Sequence, residues 1–515
     1  MRHAPRQGLL AFDVGSGSVK VLLVDAETGA PRHLARRASN PPSSSASARD
    51  LREQDPDGWW QALCDATHEV LQVAERDGGV EVLGVGVVGH GPTLVPVRTD
   101  GRAAGPALMW RDRRAAEDEV ALAALLGRSG WLLGELPKAR WLLRERVATA
   151  AASAWLLSTW DAIAFRLSGV AVSSFWDPAR GLSPTNRSAL MTAGLDERAM
   201  PPEVFPGTRI GTLLPAPAAE LGLTPGIPIA AGVNDGLAAV IGAGLTSAGA
   251  GVDVGGTAGG VAVAVETAAS QRIMERLEHR LWAGPAPLPF GDLLIVGGAF
   301  AGTGRLLDWV IQELLAGEAA AAPERRTALF EAAAALPLGA EGLMARPILS
   351  AGWPDPARAS DAFIGMTSEH RPAHFVRAAI EGGALAVAHL LAPARDAGLT
   401  VNEVRLSGPA TGATPGPLSR AERVPAALVQ LRADLFAVPV VIGQNREASA
   451  AGAAALAGVA SGHFHGLVEA AERIAQPAER IEPRGANADE ASELRARYSA
   501  VMQAEGEAAG GRRED

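Results

Sequence analysis

The chain has 515 residues, 48% hydrophobic and 20% charged, too long for one core and too apolar for a disordered chain, so two or three globular domains are expected. A net charge of -10 offers no long-range attraction to nucleic acid or anionic lipid. The single cysteine, Cys64, excludes an intramolecular disulfide and a thiolate metal cluster, which leaves small-molecule partners, no nucleic acid, no membrane and a reducing cytoplasm as the fitting context.

The N-terminus meets Asp13 after only a few apolar residues, too early for the hydrophobic region of a signal peptide, and no stretch of about eighteen residues lacks a charge or a glycine or proline break. Of the 47 basic residues only Lys20 and Lys138 are lysines. An ammonium is a compact point charge that a guanidinium fork does not replace around phosphate oxygens, so the position of Lys20 matters.

In chain order, residues 9–13 read as a buried strand, Gly15-Ser16-Gly17-Ser18 as a tight turn and 19–24 as a returning strand. Such a tip can aim backbone N–H groups and hydroxyls at an anion, with glycine supplying unusual conformations. It is not a P-loop, because no Gly-Lys-Ser/Thr follows and a strand rather than a helix comes next. Asp13 beside the turn would oppose a phosphate unless a cation lies between them, which points to Mg²⁺ held by Asp13 directly or through water.

Residues 38–48, rich in serine and proline, read as a surface loop, and Trp60, Leu63, Cys64, Thr67, Val70 and Leu71 predict a helix over 57–76 started by Asp55-Pro56-Asp57. After a strand over 82–88, His90 and Gly91, then Trp110, Asp112 and Arg114, offer polar and aromatic groups suited to a sugar. A satisfied turn histidine and a solvated charge run are the plain alternatives. A strand over 227–231 runs into Gly232-Val233-Asn234-Asp235 and a small-residue helix. Asp235 then lies at a helix N-terminus and at the carboxyl end of a strand, where α/β folds place ligands. It is either a simple N-cap or the base that takes a proton from an attacking hydroxyl.

About half a chain later Gly251-Val252-Asp253-Val254-Gly255-Gly256-Thr257 repeats the first hairpin, with Asp-Val-Gly in register. The repeat predicts a duplicated domain with a small-residue hinge over 242–249. A strand over 293–296 and a helix over 371–392, interrupted by Gly382-Gly383, continue a mixed α/β pattern. The pairs His370/His374 and His463/His465 lack the surroundings of a metal site. Residues beyond 483, rich in charge and poor in large apolar groups, read as a polar tail, frayed or helical and not catalytic.

The order and spacing of these motifs resemble the FGGY family of carbohydrate kinases, over nearly the whole chain to about residue 465. The landmarks are the run from Asp13 to Lys20, 53–60, Trp110-Arg111-Asp112-Arg113, 137–141, 232–239, Gly256-Thr257, 304–309, Gly408 and 447–454. The resemblance implies an α/β fold of two duplicated ribonuclease-H-like (actin-like ATPase) domains with a cleft between them. The expected division is residues 1–245 for sugar binding, the first hairpin and the catalytic aspartate, 246–482 for nucleotide binding, and 483–515 as the tail.

It further implies ATP and Mg²⁺ as cofactors, with phosphates held by Asp13, Gly15, Ser16, Gly17, Ser18, Lys20, Gly256 and Thr257, and with Gly304, Gly408 and Ala410 seating the nucleotide. Asp235 is the implied base, and His90, Gly91, Trp110, Asp112, Asn234 and Asp235 the implied sugar contacts. The substrate would be a small sugar, ketose or polyol, and a homodimer is compatible with the reading. A non-catalytic sugar sensor of the same fold is the alternative.

The sequence departs from the family near the substrate. Where xylulose kinases carry Gly-Gln-Met-His-Gly, this chain has Gly89-His90-Gly91-Pro92-Thr93, and the arginine and glutamate of glycerol kinases are absent. Gly408-Pro409 replaces a double glycine, and Asp253 is unusual in the second hairpin.

Overall fold

Apolar alternation and a small-residue turn pair strand Arg6–Val14 antiparallel with Ser18–Asp25, which pairs in turn with Pro31–Ala38. The architecture comes from a computed structural model that describes residues 5–39, 52–177, 180–254, 258–276, 282–301, 306–307, 310–311, 323–346, 362–411 and 425–510. Most of the loop expected over 38–48 lies outside them, as do Gly256, Thr257 and Gly304.

Contacts divide the chain into two compact units, Met1–Gly244 with Glu447–Gln476, and Leu245–Arg446 with Pro477–Asp515. In the first, the three antiparallel strands continue into parallel strands Val80–Gly89 and Pro228–Ala230, and Arg209–Thr212 closes the edge. In the second, Leu293–Ala301, Ala258–Glu266 and Ala250–Val254 form the antiparallel trio, followed by parallel Glu403–Ser407 and Val440–Gly443. The shared order, three antiparallel strands and then two parallel ones, is the structural counterpart of the repeated Asp-Val-Gly motif.

The amphipathic helix forms as Pro56–Arg76, with the Asp55 side chain accepting from Asp57 N–H, and buries Trp59, Trp60, Leu63 and Val70 in the first unit's core. On the sheet, a Cβ at Gly84 or Gly86 would overlap the carbonyl of Ala457 or Ala453. These glycines therefore let the alanine-rich helix Ala448–Ala460 approach the strand Val80–Gly89 closely. The same helix crosses Asp235–Gly242 at two further glycines: a Cβ at Gly242 would strike the Ala448 carbonyl, and one at Gly452 the Ala238 carbonyl.

In this packing 447–476 groups with the first unit, where the sequence alone suggests 246–482 as one stretch. The packing also yields a prediction. Gly452→Ala should force the two helices apart at a cost of about 1–3 kcal/mol, lowering Tm by several degrees; an unchanged Tm would contradict the close approach.

In the second unit, helix Pro372–Asp396 is the one helix among the described residues long and apolar enough to cross a membrane, and 83% of its apolar window is buried, as in a core helix. Gly382 within it is explained by the Ala345 backbone, which a Cβ would overlap. Of the two readings of the tail, frayed or helical, the structure shows the helix Ala488–Gly510, which places Ala491, Leu494 and Tyr498 in this unit's core. Those few apolar residues fall on one face, which a count of charge alone does not register.

Candidate active site

The first hairpin's register sets Asp13 opposite Lys20 and Lys20 opposite Arg36. Lys20 Nζ lies 3.0 Å from Asp13 Oδ2 and 2.8 Å from Glu447 Oε2, while Arg36 Nη2 reaches Glu447 Oε1 at 2.6 Å. Burial pulls the Lys20 ammonium down, but Asp13 and Glu447 outweigh it and hold its pKa above the ordinary lysine value. Glu447, at the start of the helix that packs behind the sheet, was visible in the sequence only as the beginning of a small-residue helix.

The hairpin tip has its carbonyls engaged. Gly15 O accepts from Ser39 Oγ at 2.9 Å, Gly17 O from Ser39 N at 3.1 Å, and Ser16 O from Gln54 Nε2 at 2.9 Å. Gln54 is itself held by Trp59 Nε1 at 3.0 Å, which gives the 53–60 landmark its structural purpose. The N–H groups of Ser16 and Gly17 and the hydroxyls of Ser16 and Ser18 donate to no protein acceptor among the described residues. A tip with carbonyls tied back and donors open suits an anion.

The glycines do not act as expected, since neither Gly15 nor Gly17 has a positive φ. Gly15 is needed for space, because a Cβ there would lie 2.9 Å from the Ser18 carbonyl, whereas Gly17 is open.

Asp235 is brought to the same end of the central strands by register. Val88 pairs with both Asp13 and Val233, and Gly89 with both Val14 and Asn234. Asn234 Oδ1 caps the helix Asp235–Gly242 by accepting from Gly236 N at 2.9 Å, and Asp235 Oδ1 accepts from the same N–H at 2.8 Å. Burial, then the negative charge of Asp13, push the Asp235 carboxyl up to about 6, opposed by the Gly236 hydrogen bond and by Lys20. It is therefore ionised at neutral pH yet far more basic than an ordinary aspartate.

Two of the expected sugar contacts are held by protein partners. His90 is 3% exposed; its Nδ1 lies 2.9 Å from the Val14 carbonyl and its Nε2 3.4 Å from Met109 Sδ. Burial lowers its pKa to about 4 against the pull of that carbonyl, so the ring is a neutral strut between the first strand and Met109. Asp112 is buried and saturated, accepting from Arg52 N at 2.7 Å and from Arg114 N, Nε and Nη2 at 3.1, 2.8 and 2.7 Å. Both are engaged by neighbouring protein groups.

Gly91, Asn234 and Trp110 keep a different standing. Gly91 and Gly232 both close on the Trp160 indole, and a Cβ at Gly91 would also lie 3.3 Å from Asn234 Nδ2. Trp160 is fixed from behind, donating to Ser174 Oγ at 3.1 Å, which donates to buried Asp161 Oδ1 at 2.6 Å. Trp110 is partly buried, with the Arg111 guanidinium 4.3 Å from its ring centre.

In the second unit Gly408 has φ 58°, a left-handed conformation that favours glycine. Its N–H donates to the Arg446 carbonyl at 2.7 Å, and its carbonyl accepts from Thr411 Oγ1 at 2.7 Å. Ala410 follows in the short 3₁₀ turn Gly408–Thr411. No group of three or more histidine, cysteine or carboxylate residues among the described residues could hold a metal ion.

Comparison with known proteins decides the family. The FGGY carbohydrate kinase N-terminal domain matches residues 9–242 and the C-terminal domain of the same family matches 285–461. The chain belongs to the FGGY family of carbohydrate kinases. It is similar to the xylulose kinase of Bacillus subtilis, 26% identical over 93% of each chain, and to the glycerol kinase of Bordetella parapertussis, 27% identical over 91% of this chain and 93% of that one. In fold it matches the xylulose kinase of Rhodospirillum rubrum, with a TM-score of 0.69 over 96% of this chain and 98% of that one at 24% identity. This FGGY kinase is thus an ATP-dependent phosphotransferase, and similar identity to xylulose and glycerol kinases gives neither substrate precedence.

Proposed function

We propose that this FGGY kinase transfers the γ-phosphoryl group of ATP to a hydroxyl of a small sugar, ketose or polyol, with Asp235 as general base. The observation that carries the reading is a carboxylate, Asp235, at the same end of the central strands as an anion-ready hairpin and a fixed ammonium. Asp235 accepts the proton as the hydroxyl oxygen attacks, and the new O–P bond forms as the bond to ADP breaks. The hairpin donors at Ser16, Gly17 and Ser18, with Lys20, stabilise the negative charge of the transferring group. Gly256, Thr257, Gly304, Gly408 and Ala410 complete nucleotide binding in this reading.

The donor set fits Mg²⁺. Asp13 Oδ1 has no protein donor among the described residues, while Oδ2 is paired with Lys20, and Mg²⁺ commonly takes one or two carboxylates alongside water and phosphate. When bound, the ion would neutralise phosphate charge, with Asp13 as its protein ligand. Acceptor recognition falls to Asp235, Asn234, the Gly91 backbone and Trp110, since His90 and Asp112 are committed elsewhere.

The test is ADP release across a panel of ketopentoses, ketohexoses, aldonates and polyols. At least one acceptor should raise ADP release well above the acceptor-free rate. Sugar-induced thermal stabilisation without any ADP release would favour a sugar sensor instead.

A pH dependence follows from Asp235. The protonated form cannot accept a proton, so kcat/KM for the active acceptor should be flat above pH 7 and fall about tenfold per unit below an apparent pKa of about 6. An acidic limb near 4, the ordinary aspartate value, would contradict the environment described for Asp235.

A further inference from the structure

Asp253 takes the place in the second unit that Asp13 takes in the first. Each is the penultimate residue of its strand, Ala250–Val254 and Arg6–Val14. Each pairs antiparallel with the returning strand and parallel with the fourth, Asp13 with Lys20 and Val88, Asp253 with Val261 and Leu406. The returning strand of the second unit therefore sets a valine where the first sets Lys20.

The counter-charge for Asp253 comes from elsewhere. Arg432, on helix Ala426–Phe436, places Nε 3.5 Å from Asp253 Oδ2, and both side chains are largely buried. Burial raises the Asp253 carboxyl and lowers the Arg432 guanidinium, each opposed by the other's charge. The helix carrying Arg432 is pinned from the far end of the chain, because Asp434 accepts from Arg484 Nη2 at 2.7 Å and from Asn487 Nδ2 at 2.9 Å. An unpaired carboxylate here would stand three residues before Gly256, in the motif assigned to ATP phosphates.

We propose that Arg432 is a positioning residue for nucleotide binding, neutralising Asp253 ahead of the sequence motif assigned to ATP phosphates. The proposal rests on the reading above that Gly256 and Thr257 hold ATP phosphates. Removing one member of a buried pair leaves an uncompensated charge, and here the two removals differ in sign toward a phosphate.

The experiment is titration calorimetry of Mg·ADP into the full chain, with Tm measured in parallel. Arg432→Met should weaken ADP at least about tenfold, Asp253→Asn should leave affinity within about threefold of wild type or improve it, and the double variant should return to within about threefold. Arg432→Lys, which keeps the charge, should lose less than Arg432→Met. Equal weakening by both single variants in step with Tm, or no weakening by Arg432→Met, would overturn the proposal. Should Arg432→Met fail to fold, Asp253→Asn decides alone, a tenfold loss of ADP affinity overturning it. If wild type binds ADP but phosphorylates no sugar, the kinase reading fails while this test still reports; if wild type does not bind ADP, both are overturned.

Discussion

Asp235→Asn should lower kcat for the active acceptor by about 100- to 10,000-fold while leaving ADP binding unchanged. The amide keeps the size of the carboxylate and can still accept from Gly236 N–H, so helix Asp235–Gly242 stays capped by Asn234. What disappears is the acceptor for the hydroxyl proton. Stability supplies an independent check. Because burial and Asp13 raise the Asp235 carboxyl to about 6 from an unfolded value of 3.8, the native state binds that proton more tightly than the unfolded chain. Stability from this group is present below about pH 4 and is lost as pH rises through 6. Asparagine never ionises, so at pH 8 the variant should be at least as stable as wild type, by up to about 3 kcal/mol. A dead variant with a higher Tm separates lost chemistry from lost folding; full activity would remove Asp235 from the mechanism.

Lys20→Met should cost about 100- to 1,000-fold in kcat/KM for ATP, the scale of losing one preorganised charge stabiliser. Its effects reach further than the phosphate. Asp13 loses its cation, while Glu447 keeps Arg36 at 2.6 Å. Because Asp13 raises the Asp235 carboxyl and Lys20 lowers it, the acidic limb of the remaining activity should move to higher pH. Loss of activity with an unmoved limb would mean that Lys20 and Asp235 are not electrostatically coupled. Lys20→Arg should recover only part of the activity, since a planar fork cannot reproduce a point charge between Asp13 and Glu447.

Much of this frame was legible in the chain itself. The turn Gly15-Ser16-Gly17 and the alternating strands on either side set the pairing of Asp13 with Lys20, and the repeated Asp-Val-Gly announced two units of one topology. The Asn234-Asp235 helix start was legible for the same local reason: a strand, a cap and a small-residue helix in succession. Contacts that depend on distant packing were not. Glu447 reads as an acidic residue before an alanine-rich helix, and only the glycines at 84, 86 and 242 reveal that this helix returns to the first sheet. His90 was legible as a polar group after a strand, but its direction is set by the Val14 carbonyl and Met109. Asp112 sits in a charge run, and nothing local shows that Arg114 folds back to fill both its oxygens.

The most direct measurement is ³¹P NMR of ATP and the active acceptor with wild-type protein and with Asp235→Asn. Phosphoryl transfer to a sugar hydroxyl predicts a new phosphomonoester resonance growing in step with ADP in the wild type and absent from the variant. Inorganic phosphate in place of the monoester, or an undiminished monoester signal from Asp235→Asn, would contradict the account.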